Sequence, residues 1–228
     1  MKEAETMKTL KSPFHQVETL QGMAYGGNQT WFNYKFLKNA GCGIISGTDL
    51  VLHLKGRSQI SRLEYMDVAK SLWKKYLPVI PGFGMNGLTL MIGLNRYFRN
   101  YRMPYFACWM ISGKKMCSRI EKMLSADIPV ILSIGPNFPL VWRKEKLNLY
   151  IQNKMGTFVQ ASKIKAHFVT VTGIDKDMLR ISSWGKEYYI FIQEYEKYVK
   201  ENSSPLVSNI IYVKKYKKGD SRRFLSKN

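Results

Sequence analysis

The chain has 228 residues, 45% of them hydrophobic and 13% aromatic, with 36 Lys and Arg against 16 Asp and Glu and a formal net charge of +20. That composition excludes a chain too polar to bury a core. No apolar run approaches the roughly 18 residues of a membrane-spanning helix, and Met1-Lys2-Glu3-Ala4-Glu5-Thr6 lacks the apolar centre of a secretory signal.

The three cysteines are Cys42, Cys108 and Cys117. An odd count with no zinc-like spacing predicts neither a disulfide framework nor a metal site. A reducing, cytoplasmic compartment is the matching expectation. The lysines are spread along the chain and no nucleic-acid signature accompanies them, which argues against nucleic acid. A generally basic surface is the leading reading, with an acidic partner the alternative. No cofactor-binding motif is found; the glycine-rich stretch Pro78–Gly87 lacks the lysine and hydroxyl of a phosphate loop.

In chain order, residues 1–22 are polar and unpatterned and read as a loose segment. Met23–Phe32, with Gly26-Gly27-Asn28-Gln29 between aromatics, reads as a structured loop. A helix is predicted from Cys42 to about Lys55, where Gly56 stops it. A second spans Ser61–Tyr76, with Leu63, Met66, Ala69 or Lys70, and Trp73 on one face. A third spans Leu88–Tyr101, with core face Leu90, Leu94, Tyr97 and Phe98. The pattern then changes. Met103–Ile111 reads as a strand, Gly113–Ala126 as a helix and Ile128–Gly135 as a buried strand. Residues 136–160 read as irregular, with strands at 139–143 and 148–152. Lys165–Ile174 and Met178–Ser182 form a hairpin about Asp175-Lys176. A strand at Glu187–Ile192, a helix at Gln193–Lys200 and a strand at Val207–Tyr216 follow, and residues 217–228 form a basic tail. The organisation is one α+β domain over 23–216, with a helical part (23–101) and an antiparallel sheet part (102–216). A site belongs in the cleft between them.

Gly41-Cys42-Gly43 places a thiol at a helix N-terminus. There the free N–H groups and the helix dipole favour a thiolate and can hold an oxyanion. Taken alone, a cysteine in such a turn is more often simply packed. A nucleophile needs a base, and there are three histidines. His15 falls in the loose segment. His53 lies eleven residues along the same helix, roughly 16 Å away. His167, at the start of a strand in the second half, remains. The hairpin brings residue 167 opposite about residue 184, so Ser182, Ser183 and Trp184 come beside it.

Taken in order, Gly41-Cys42-Gly43, Pro129-Val130-Ile131-Leu132-Ser133, His167-Phe168-Val169-Thr170-Val171-Thr172-Gly173-Ile174-Asp175 and Ser183-Trp184-Gly185 resemble the papain-like cysteine peptidase superfamily. The likeness is nearest to the bacterial branch of bacteriocin-processing peptidases and covers about Gly26–Val199. It implies a papain-like fold, Cys42 as nucleophile and His167 as base. It also implies a third member at Ser183 or Ser182, where relatives carry aspartate or asparagine. The usual glutamine six residues before the cysteine is Phe36 here. Gln29, with Asn39 the other choice, is the expected oxyanion donor. The expected activity is thiol-dependent hydrolysis of a peptide or amide bond held in the cleft. A non-catalytic binding module and a thiol-dependent acyltransferase are the alternatives.

Overall fold

The computed structural model describes residues 7–82, 84–113, 115–135 and 145–216. Three short strands come first: β1 (Lys8–Thr9), β2 (Gln16–Thr19) and β3 (Gly22–Tyr25). A 3-10 turn (Gln29–Trp31) leads into helices α1 (Lys35–Ala40) and α2 (Cys42–Leu54). Strand β4 (Gln59–Ser61), α3 (Arg62–Lys75) and α4 (Gly87–Asn100) complete the first half. The second half contains β5 (Tyr105–Ile111), α5 (Met116–Ser125), β6 (Val130–Ile134), β7 (Leu147–Gln152) and β8 (Phe158–Ile164). It ends with β9 (His167–Ile174), β10 (Met178–Ser183), β11 (Lys186–Phe191), α6 (Ile192–Asn202) and β12 (Asn209–Lys215).

The helices begin where side chains satisfy their free N–H groups. Ser61 accepts from the Glu64 N–H at 3.2 Å to start α3, and Asn86 accepts from the Thr89 N–H at 2.8 Å to start α4. The buried face of α3 is Tyr65, Met66, Ala69 and Leu72. It is turned from the expected one, and Leu63 is 72% exposed. Helix α2 is buried from Gly43 to His53. It packs on β9 and β6 and against α3 and α4. A helix enclosed on all sides needs apolar residues all round, and Ile44, Ile45, Leu50, Val51 and Leu52 supply them.

The large sheet runs β5-β12-β6-β9-β10-β11-β7-β8, and β1 also pairs with β9. Its pairings are antiparallel. Strands β6 and β9 are buried on both faces, with α2 and α5 packed on them. That explains their unbroken β-branched runs. A second sheet, β3-β2-β4, sits in the first half, with β2 parallel to β4.

Several expectations need correction. Residues 7–22 are not loose. Leu10, Phe14 and Val17 are buried, β1 pairs with β9, and the N–H groups of Lys11 and Ser12 donate to Asp127 Oδ1 at 2.9 and 3.0 Å. Strands of two and four residues are too short to leave a readable period. The first half is not purely helical, because β2, β3 and β4 lie in it. The strand expected at 148–152 is β7, but the residues after it are not irregular, because β8 returns beside it in a hairpin. Strand β8 ends the sheet and is mostly exposed, so no buried alternation marks it. The strand expected at 139–143 and the tail at 217–228 lie outside the described residues. Among the described residues, no helix is long and apolar enough to cross a membrane.

Candidate functional site

Helices α1 and α2 meet at Gly41, whose carbonyl accepts from the Ile44 and Ile45 N–H groups at 3.0 and 3.1 Å. A side chain at Gly41 would bring its Cβ within 2.5 Å of the Leu37 carbonyl oxygen, so the joint between the helices requires glycine. Cys42 is therefore the first residue of α2, as the glycine pair predicts. Burial pushes its thiol pKa up, while the N–H groups of Phe168, Gly43 and Cys42 itself pull it down. Burial prevails, so the resting group is a thiol.

His167 opens β9 opposite Ile134 on β6. Its Nε2 lies 2.8 Å from Ser183 Oγ, and the Trp184 ring stacks on it at 4.6 Å with a 29° tilt. Enclosure by these neighbours lowers its pKa to about 4. The ring is neutral at neutral pH. In the tautomer whose Nε2–H donates to Ser183, Nδ1 is the free base. Serine carries no charge, so nothing here offsets the cost of an imidazolium.

Ser182 has a different task. Its hydroxyl donates to the Tyr25 carbonyl at 2.8 Å, on the far side of the strand from His167. A β-bulge between Arg180 and Ile181 sets Ser182 opposite Thr170 and leaves Ser183 to meet the imidazole. The turn joining β10 to β11 is Trp184-Gly185, with φ of 49° and 73°. This is the left-handed pair of a two-residue hairpin. The turn also grips the Gly26–Gln29 loop. Gly185 N–H donates to the Gly27 carbonyl and Tyr25 N–H to the Gly185 carbonyl, both at 2.8 Å. Asn28 Nδ2 donates to the Trp184 carbonyl at 3.0 Å.

Gln29 follows directly. It is buried, and its Nε2 donates to the Lys38 carbonyl at 2.7 Å, which commits one of its two amide hydrogens. Gln29, Cys42, His167, Ser182 and Ser183 all line one cavity of about 10 Å³, together with Ser46 and Trp184. That is the space of roughly one water. The expected cleft is narrow where these residues meet. Asn39 is exposed and does not line the cavity.

No family model matches the sequence, and no curated protein matches it. Among solved structures, the chain is similar to the crystal structure of a candidate C39-like peptidase from Bacillus anthracis. The TM-score is 0.53 at 15% identity, covering 93% of this chain and 100% of that one. The fold is papain-like. In this fold, the Cys42 helix and the His167 strand come from opposite halves and meet at the cavity. The likeness carries the architecture and not the bacteriocin-processing branch.

Sequence reasoning missed a second polar cluster on the papain-like helix α2. Asp49 is 1% exposed, and its Oδ1 accepts from Tyr65 Oη at 2.7 Å and the Gly27 N–H at 3.1 Å and lies 3.0 Å from His15 Nε2. Thr170 Oγ1 donates to its Oδ2 at 3.3 Å. His15, expected in a loose segment, is fully buried. The available signal was a lone carboxylate between Ile44-Ile45 and Leu50-Val51-Leu52, which has to find partners inside. His53 likewise reaches out of α2, to Asp127, with Nε2 3.1 Å from its carbonyl. Burial lowers the His53 pKa, and Asp127 opposes that shift. Cys108 and Cys117 are half-buried free thiols away from the cavity, and burial raises the Cys117 pKa. Among the described residues, no three His, Cys, Asp or Glu side chains come together as a metal site.

Proposed function

We propose that the chain is a papain-like thiol hydrolase acting on a peptide or amide bond. The observation that carries this reading is the convergence of Cys42, His167, Ser183 and Gln29 on one cavity. Cys42 Sγ attacks the carbonyl carbon as its proton passes to His167 Nδ1. The oxyanion is held by the Cys42 N–H and the second amide hydrogen of Gln29. His167 then protonates the leaving amine as the C–N bond breaks, and water hydrolyses the thioester. The raised thiol and lowered imidazole values support a neutral resting pair. Proton transfer therefore accompanies attack instead of preceding it.

The similarity in fold to a C39-like peptidase makes a peptide the first substrate to try. Incubation with a mixed peptide library, followed by mass spectrometry, should give defined products that vanish in both Cys42→Ala and His167→Ala. Equal products from Cys42→Ala would discard the thiol mechanism. The small cavity and the uncharged Ser183 favour a second reading, a binding module on the same scaffold. In that case no product forms, and Cys42→Ala keeps its biological activity. Added amine nucleophile separates hydrolysis from acyl transfer, which would give an amide product.

A further inference from the structure

Strand β5 ends the large sheet and pairs with β12 alone. Asn95 on α4 identifies which of its backbone groups face outward. Asn95 Nδ2 donates to the Ala107 carbonyl at 2.9 Å, and the Ala107 N–H donates to Asn95 Oδ1 at 2.7 Å. One carboxamide thus does for Ala107 what a neighbouring strand would do. The alternation of an antiparallel ladder turns the N–H and C=O of Trp109 and Ile111 the same way. Among the described residues these four groups have no partner.

Helix α4 runs along this edge. Asn95 fixes it at Ala107. Eight residues earlier, a Cβ on Gly87 would fall 2.5 Å from Asn209 Oδ1, and Asn209 is the register partner of Ile111. Eight helical residues rise about 12 Å and four strand residues about 14 Å, so helix and strand keep pace. Leu88, Ile92, Asn95 and Arg99 are spaced four, three and four apart and share one stripe. Asn95 reaches the edge, while Leu88 and Ile92 remain 49% and 54% exposed above its open part and Ile111 is 46% exposed. An unpaired edge flanked by apolar side chains is a template for strand addition.

We infer that the Trp109–Ile111 edge accepts an extended acidic segment of another polypeptide as an added strand. The open backbone groups require an extended occupant, and Leu88 and Ile92 require β-branched or other apolar residues in it. Arg96 and Arg99 on the exposed side of α4 take part in none of the ion pairs among the described residues, which selects acidic residues. The net charge of +20 opposes a second copy of this chain in that place. This surface is separate from the Cys42 cavity and does not depend on catalysis.

The probe is a fluorescein-labelled heptapeptide of alternating valine and glutamate, followed by anisotropy with the intact chain. Saturable binding is expected. It should weaken at least about tenfold when the probe's alternate amides are N-methylated, because methylation removes the N–H donors that the Trp109 and Ile111 carbonyls would accept. A similar loss is expected in the double variant L88S/I92S, whose changes lie at exposed helix positions and leave the charge intact. Equal affinity for the methylated probe would mean attraction by charge alone and would overturn the inference. So would absence of saturable binding, or a self-associated dimer in sedimentation that L88S/I92S dissociates.

Discussion

Ser183 Oγ lies 2.8 Å from Nε2 of His167, where an anionic partner would stabilise a protonated ring. Restoring the charge with Ser183→Asp should raise the His167 pKa from about 4 toward and above its ordinary value. A carboxylate at this distance typically shifts a neighbour by about 1–3 units. Iodoacetamide should then alkylate Cys42 about tenfold faster at pH 6 than in the unaltered chain. An unchanged rate would show that the ring and the thiol are not coupled.

Acid should weaken the fold in a defined window. A neutral buried histidine must be charged on unfolding. Its contribution is therefore present above pH 6.5 and is lost as pH falls toward about 4. For His167 the shift corresponds to something on the order of 3 kcal/mol, and His53 adds to it in the same direction. Urea unfolding at pH 7.5 and pH 4.5 measures the loss. His167→Gln, which titrates nothing, should show a distinctly smaller difference between the two pH values.

Gln29→Ala should lower kcat about 100-fold with little change in KM, as expected for a donor engaged mainly in the transition state. The measurement is steady-state kinetics on whichever peptide the library identifies. A rise in KM at constant kcat would instead assign Gln29 to holding the loop through Lys38.

Asp49→Ala should destabilise the chain by about 3 kcal/mol, read from thermal or urea unfolding. It strips the Gly27 N–H, Tyr65 Oη and His15 Nε2 of their common acceptor at once. Asp49→Asn, which keeps an accepting oxygen, should lose less than half as much.

The papain-like order was legible because its signals are local. Gly41-Cys42-Gly43 is a helix start whatever packs on it, and the buried runs of β6 and β9 announce a sheet covered on both faces. Ser183 against Ser182 was not decidable, because a one-residue bulge at Arg180/Ile181 determines which hydroxyl meets the ring. The N-terminal segment was misread for a related reason. His15, Phe14 and Asp127 acquire meaning only through contacts more than thirty residues away in sequence. The small volume of the cavity was equally invisible, since Trp184 comes to line it only once the hairpin has formed.

The grip of Trp184-Gly185 on the Gly26–Gln29 loop also bears on timing. During synthesis the Cys42 helix emerges long before the turn that grips the Gly26–Gln29 loop and the hydroxyl that meets the His167 ring. A growing chain that has not reached residue 185 carries the thiol without these groups around it. Under the proposed thiol mechanism, reactivity would therefore wait for the Trp184-Gly185 turn to be made.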